Sequence, residues 1–351
     1  MKHFPSIFLI SFAFICLLAS AVYSQIEENS IFGNIYDKST KKPIEDVNVY
    51  FSNTTWGSST DKDGYYKIRQ IPEGIHDLVV TIIGYTYESK SILVKKDSQL
   101  KFDFYLEPVI YETEATVVEG SVPTEWLGDL HFFKYYFMGK SDFVQDCDIE
   151  NEEVLNFSRP NRTLFVATAE KPLVIINNAL GYRMDCVLIN FTYDQDSDVW
   201  RWSIKPKFTE LETENEDIAD KWKSNRRKAY RGSLYHFLCS FKNKRLGEEG
   251  FDIYPNVQAG QKIPMRLWRS IIVDYDDYIL PGILEKEKKL TFVNYLHVVY
   301  DNNDVSWIGL NYTDITLDEY GYPEEDNPYN IYGVWSTKGV ADLLPKNYVY
   351  K

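Results

Sequence analysis

The stretch Thr60–Tyr85, TDKDGYYKIRQIPEGIHDLVVTIIGY, decides the fold class of the first part of the chain. Its Asp61-Lys62-Asp63-Gly64 run is either the start of a calcium loop or a tight turn between strands. An EF-hand loop needs ligands at alternate positions, a glycine at the sixth, a glutamate at the twelfth and helices on both sides. Here Gly64 follows Asp63 at once, and YYKIRQI comes next with a β pattern and no closing glutamate. The run therefore reads as a hairpin turn in which Gly64 takes a positive φ.

Outward from this turn the alternation continues. IFGNIYD places Ile31, Gly33 and Ile35 on one face, and VNVYFSNT alternates again. HDLVVTIIGY reads as a longer buried strand, and QLKFDFYLEP aligns Leu100, Phe102, Phe104 and Leu106 on one side. Short strands at regular spacing, punctuated by Gly, Pro and Asp, predict an all-β sandwich over residues 30–108.

The order of these residues resembles the carboxypeptidase regulatory-like domain family. The matching positions are Gly33, Pro43, Ile44, Val47, Gly57, Thr60, Asp61, Gly64, Tyr66, Ile71, Pro72, Gly74, Ile83, Gly84 and Tyr85. Ser58 stands where the family usually has Thr, and Trp56 precedes Gly57. The resemblance implies a seven-stranded, prealbumin-like sandwich with no catalytic role of its own. Such domains accompany metallocarboxypeptidases and stand at the N-terminus of TonB-dependent receptors, so it also implies the envelope of a Gram-negative bacterium. FKYYFMGKSDFVQDCDIENEEVLNF, LVIINNALGY, KAYRGSLYHFL and GVWSTKGVADLLPKNY resemble, more weakly, a partner region of exported bacterial proteins. That region brings no established activity with it.

The N-terminus reads as a targeting segment. MKHFPSIFLISFAFICLLASAVYSQ has a basic start, an apolar run and then small residues, with Val22 and Ser24 suited to cleavage before Gln25. A signal peptide over 1–24 predicts export, with no later stretch apolar enough to span a bilayer. The expected compartment is the periplasm or the outer-membrane surface. Three cysteines follow the signal, Cys147, Cys186 and Cys239, an odd count that forbids a complete disulfide framework. They read as small buried hydrophobes, with one bridge plus a free thiol left open.

Charge excludes some partners. With 52 acidic against 38 basic residues and a net charge of -14, the chain lacks the basic face that nucleic acid or anionic lipid requires. Aromatics are 16% of the 351 residues, which favours β structure and leaves glycan or peptide recognition open.

Residues 109–125 are polar, carry Gly120 and Pro123, and read as a linker. Residues 126–351 read as an α+β domain with an antiparallel sheet. Trp126–Cys147 has a helical rhythm through Leu130, Phe133 and Phe137. A second helix is expected over DKWKSNRRKAYRGSLYHFLCSFKNKRL, weakened in the middle by Gly232. SIIVDY, KLTFVNYLHVVYD and VSWIGLN read as strands, and LNYTDITLDEYGYPEEDNPYNIYG as a Tyr-rich acidic surface loop.

No motif assembles a catalytic set. His76, His131, His236 and His297 each lack a metal-ligand partner at motif spacing, and Ser233 with His236 lacks a nucleophile elbow. No cofactor or metal is expected. Candidate binding residues are Trp56 and Trp126 for stacking, and Arg226, Arg227 and Arg231 for an anionic group. Asp274 and Asp276 would share one strand face as a carboxylate pair. For each, the plainer alternative is packing or a solvated face. The triplets at Asn53, Asn156, Asn161, Asn190 and Asn311 fit the glycosylation pattern, which matters only in a eukaryotic product. The expectation is a non-enzymatic binding or docking protein whose partner is an envelope protein, such as an outer-membrane transporter, or a glycan. The alternative is an envelope hydrolase acting on polysaccharide or peptidoglycan through paired carboxylates.

Overall fold

The structure is a computed structural model, and it describes residues 28–109, 124–263 and 274–350. The expected signal peptide and most of the expected linker lie outside the described residues. In the first part, β1 (Ser30–Asp37), β2 (Asn48–Phe51), β3 (Gly57–Ser59), β4 (Tyr65–Arg69), β5 (Gly74–Thr81), β6 (Glu88–Val94), β7 (Gln99–Lys101) and β8 (Phe104–Leu106) form two sheets. One has the order β4-β1-β7 with β8 also on β1, and the other β3-β2-β5-β6. β7 and β8 both run parallel to β1, with Ile31 opposite Leu100 and Ile35 opposite Phe104. They are one edge strand broken at Phe102–Asp103, so the sandwich has seven strands in effect. Ile31, Ile35, Val49, Phe51, Tyr66, Leu78 and Val80 fill its core, one from every second position.

The opening turn is confirmed as a turn, but it is not a hairpin. β3 pairs with β2 while β4 pairs with β1, so Asp61–Gly64 carries the chain from one sheet to the other. The cause is capture by β1: the Ile35 N–H donates to the Gly64 carbonyl at 2.9 Å. One Asp61 carboxylate oxygen accepts from the Asp63 and Tyr65 N–H groups, both at 2.9 Å, and Gly64 sits at φ +71. Asp61 is spent on the turn itself.

The C-terminal region begins with α1 (Thr124–Phe137) and a six-stranded antiparallel sheet. Its strands are β9 (Cys147–Ile149), β10 (Leu155–Ser158), β11 (Leu164–Ala169), β12 (Leu173–Asn177), β13 (Tyr182–Asp194) and β14 (Val199–Glu210). β13 is the spine: β12 and then β11 pair along one edge, and β14 covers the other. Leu130, Phe133 and Phe137 of α1 bury against Phe165 and Phe191 of this sheet.

α2 (Glu216–Tyr230) and α3 (Leu234–Lys242) follow, separated at Gly232. The Asn215 side chain caps α2 by accepting from the Asp217 and Ile218 N–H groups, and acids begin the helix while bases end it. β15 (Phe251–Val257), β16 (Ile279–Pro281), β17 (Lys288–Leu290), β18 (Tyr295–Tyr300), β19 (Asp304–Leu310), β20 (Ile315–Leu317) and β21 (Tyr329–Gly333) complete the fold. They form a β15-β18-β19-β21 sheet and a small β16-β17-β20 sheet, packed with Phe237 and Phe241 of α3 into a second core. The region expected as one α+β domain thus holds two hydrophobic cores. The segment expected as a surface loop contributes Ile315 and Leu317 to the second, both fully buried.

The sandwich sits directly on the C-terminal region. Along β2 and β5 the inward residues fill the sandwich, while Tyr50 and Val79 point the other way and pack on Val187 of β13. The Tyr50 hydroxyl donates to the Lys205 carbonyl at 2.8 Å, and Lys205 reaches Asp77 at 2.6 Å. The Asn53 N–H donates to the Pro206 carbonyl, and the Phe208 N–H to the Thr54 carbonyl. The C-terminal segment closes the junction: the Lys346 N–H donates to the Asn53 carbonyl, and Asn347 exchanges two hydrogen bonds with Thr55.

Candidate functional site

The expected site residues are scattered, and most are engaged. Trp56 lies at the junction, its ring 6.2 Å from His76 and 6.0 Å from Tyr320. Trp126 donates its indole N–H to the Leu155 carbonyl and leans on Phe157. Arg226 is held by the Leu180 and Gly181 carbonyls and stacks 4.0 Å over the Tyr182 ring. Arg227 stands one residue on in α2, and Arg231 donates to the Tyr300 hydroxyl at 3.2 Å. Asp274 and Asp276 do not share a strand face. Asp274 caps the short 3-10 turn Tyr275–Asp277 by accepting from the Asp276 N–H, and Asp276 is paired with Lys244 at 2.7 Å. The local Asp-Tyr-Asp-Asp run caps a turn more readily than it extends.

Two clefts stand out. The larger, about 460 Å³, lies beside α2 among Asp146, Glu212, Ile218, Lys221 and Trp222. Its cation is spent, because Lys221 pairs with Asp146 at 3.2 Å.

The second cleft, about 220 Å³, opens where the β10–β11 hairpin meets α1 and the end of β13. Phe132, Phe165, Tyr193, Arg159, Arg162, Thr163, Leu164 and Gln195 line it. Its floor is aromatic: Phe132 lies 4.9 Å from Phe165 and 5.1 Å from Tyr193, edge to face. Tyr136 continues the cluster to Trp200 at 4.9 Å. Arg159 is fixed, with both terminal guanidinium nitrogens donating to the carboxylate of Asp129 and its plane 5.1 Å over Phe165. That bidentate pairing holds its pKa above the ordinary value. The Asn161 side chain folds the hairpin turn by accepting from the Thr163 and Leu164 N–H groups. This turn presents Arg162 at the rim, exposed and with no ion pair among the described residues. The Tyr193 hydroxyl is oriented by Asp198 at 2.9 Å, which pushes its pKa up.

Such a cleft can pack one ring against the half-buried Phe132 and Tyr193 and pair one anionic group with a free guanidinium. It is smaller than the roughly 300–1,000 Å³ of sites for drug-sized ligands, so it suits a single residue of a longer chain. None of its residues is among the candidate binding residues read from the sequence; Arg162 and Thr163 belong to the glycosylation triplet at Asn161. The available signal was SRPNRT between two strands, with two arginines on a turn.

Comparison with known proteins bears on the first part of the chain. The family model of the CarboxypepD_reg-like domain matches residues 31–118. The N-terminal sandwich is a CarboxypepD_reg-like domain. A search of curated proteins finds no match. Among solved structures, the chain is similar to part of a type II cohesin–X-dockerin complex from Acetivibrio cellulolyticus. Identity there is 21%, with 22% of this chain and 52% of that one covered and a TM-score of 0.19. This chain therefore spans about half of that structure. It is also similar to a DUF3823 family protein from Bacteroides uniformis, at 14% identity over 53% of this chain and 100% of that one, TM-score 0.18. The Bacillus anthracis TIE protein matches at 12% identity, over 53% of this chain and 32% of that one, TM-score 0.21. Among the described residues no helix is long and apolar enough to cross a membrane.

Proposed function

We propose that this is an exported, non-enzymatic binding protein of a Gram-negative cell envelope, and that its ligand is an acidic saccharide unit held in the Arg162 cleft. The CarboxypepD_reg-like domain is the docking module. One of its faces, through Tyr50 and Val79, is committed to the C-terminal region. The outer face of its other sheet keeps Tyr65 and Tyr105 exposed for an envelope partner such as an outer-membrane transporter. The observation that carries the ligand reading is the free Arg162 guanidinium above the Phe132–Phe165–Tyr193 floor. The net charge of -14 repels anions at long range, so selection for an anion rests on the local pairing with the unpaired Arg162.

The test is isothermal titration of the full chain with a uronic-acid oligosaccharide and with an uncharged one of equal length. Binding of the acidic sugar only is expected, with affinity falling about tenfold or more in Arg162→Ala, the loss of one charge-assisted hydrogen bond. Equal binding of both sugars, or an unchanged affinity in Arg162→Ala, overturns the assignment. Hydrolysis through Asp274 and Asp276 draws less support, because one carboxylate caps a turn and the other is paired with Lys244.

A further inference from the structure

Away from that cleft, two buried carboxylate oxygens lack a donor, and they belong to neighbouring side chains. Glu287, only 3% exposed, ends the turn between β16 and β17. Its Oε2 accepts from the Leu284 N–H at 2.9 Å, while its Oε1 is buried without a donor. Glu324 follows β20, with its N–H on the Thr316 carbonyl and its own Oε1 likewise buried without a donor. Lys288 pairs with Leu317, and Leu317 bridges to Pro323, so the strand pairing sets Glu287 and Glu324 side by side.

The acids around them are already satisfied. Both oxygens of Glu325 accept from the Thr316 N–H. Asp318 accepts from the Tyr320 and Tyr322 N–H groups and pairs with Lys346 at 2.7 Å. Two ionised carboxylates in contact repel too strongly to persist. A calcium ion would need about six to eight oxygens, and here the oxygens of Asp318 and Glu325 are taken. A proton needs one donor and one acceptor, which this pair supplies.

We propose that Glu287 and Glu324 share one proton, and that this acid pair is a pH-operated latch joining the turn before β17 to the loop after β20. Burial first, then the charges of Glu287 and Asp318, hold Glu324 up to about 8. Glu325 adds its charge to Glu324, and the nearby cations belong to the acids beside the pair: Lys346 of the C-terminal segment pairs with Asp318, Lys242 of α3 lies near Asp318, Glu319 and Lys288 of β17, and Lys286 pairs with Glu319. At neutral pH the proton is in place and the latch is closed. Loss of the proton puts a second negative charge beside Asp318. Asp318 holds Lys346, whose N–H binds the Asn53 carbonyl, so an open latch loosens the seat of the sandwich.

Thermal unfolding of the full chain across pH tests this, with Glu324→Gln and Glu287→Gln as variants. A glutamine amide supplies the donor that the shared proton supplies. From pH 6.5 to about pH 9 the wild-type melting temperature is expected to fall by roughly 3–6 °C, and neither variant should show that fall. The infrared band of a protonated carboxylic acid should be present in the wild type at neutral pH and absent from both variants. If one variant does not fold, the other variant and the wild-type band decide the matter. A wild-type melting temperature flat across this range, or an equal fall in all three proteins, overturns the proposal. Stabilisation of the wild type by calcium at neutral pH, lost in Glu287→Gln, also overturns it and makes the pair a cation site.

Discussion

Gly33 shows how one atom can hold a fold. It lies in the middle of β1, where the edge strand breaks at Phe102–Asp103. A Cβ at this position would stand 1.8 Å from the Phe102 carbonyl oxygen. Gly33→Ala must push the edge strand away and break the hydrogen bond from the Asn34 N–H to Asp103. A loss of about 2–4 kcal/mol is expected, read from urea unfolding. Ion pairs divide by burial in the same way. Lys346 and Asp318 have side chains only 10% and 6% exposed. Asp318→Asn leaves the lysine charge buried without its partner and should cost about 3–5 kcal/mol. Lys244 and Asp276 are 49% and 83% exposed. Asp276→Asn should therefore change stability by less than about 0.5 kcal/mol, by the same measurement.

At the scale of elements, α2 is tied to the six-stranded sheet by one guanidinium. Arg226 donates from Nε to the Leu180 carbonyl at 2.7 Å and from Nη2 to the Gly181 carbonyl at 3.1 Å. Its plane covers Tyr182, the first residue of β13. A lysine keeps the charge but loses the planar fork. Arg226→Lys should cost about 1–2 kcal/mol in thermal or urea unfolding, while leaving sugar binding at the distant β10–β11 turn unchanged. Trp222 reinforces the same joint by donating to the Asn178 carbonyl at 2.8 Å. The basic run of α2 reads in sequence as a solvated face or an anion site, and neither gives the partners of Arg226. They are the Glu210 carboxylate at 3.0 Å and main-chain carbonyls about 45 residues away, which no helical periodicity encodes.

For the whole molecule, the pH dependence of stability follows from groups on both sides of the junction. Burial first, then Lys346, holds His76 down to about 4. A depressed histidine contributes stability that is present above its ordinary value of 6.5 and is lost as pH falls toward 4. Glu324 has the opposite sign: raised to about 8, it contributes stability that is fully present below 4.5 and is lost as pH rises through 8. Glu324 opposes His76 between pH 4.5 and 6.5, but burial also lowers His236 and His297, so on balance stability should rise with pH across this range. Below that range the loss deepens. For Asp77, burial raises the pKa, but hydrogen bonds from Lys205 and Ser91 lower it on balance, and that contribution is lost as pH falls below 3.8. Melting temperatures should therefore be highest near pH 6.5 and decline on both sides, measured by circular dichroism.

The sequence by itself determined the sandwich. Period-two alternation and turn residues such as Gly64 are local signals, and they carry strand identity because each strand buries one face. It also determined α1 and α2, since helical periodicity and the placement of end charges reach no further than a few residues. Only the tertiary structure decided that the Asp61–Gly64 turn crosses between sheets, since that rests on capture by β1. The same holds for Tyr50 and Val79, which a local pattern cannot separate from core residues. They are buried against Val187, more than a hundred residues away. The Arg162 cleft and the Glu287–Glu324 pair belong to this second class. Each joins side chains from segments that look solvated when read alone, and burial and an unmet hydrogen bond exist only once those segments meet.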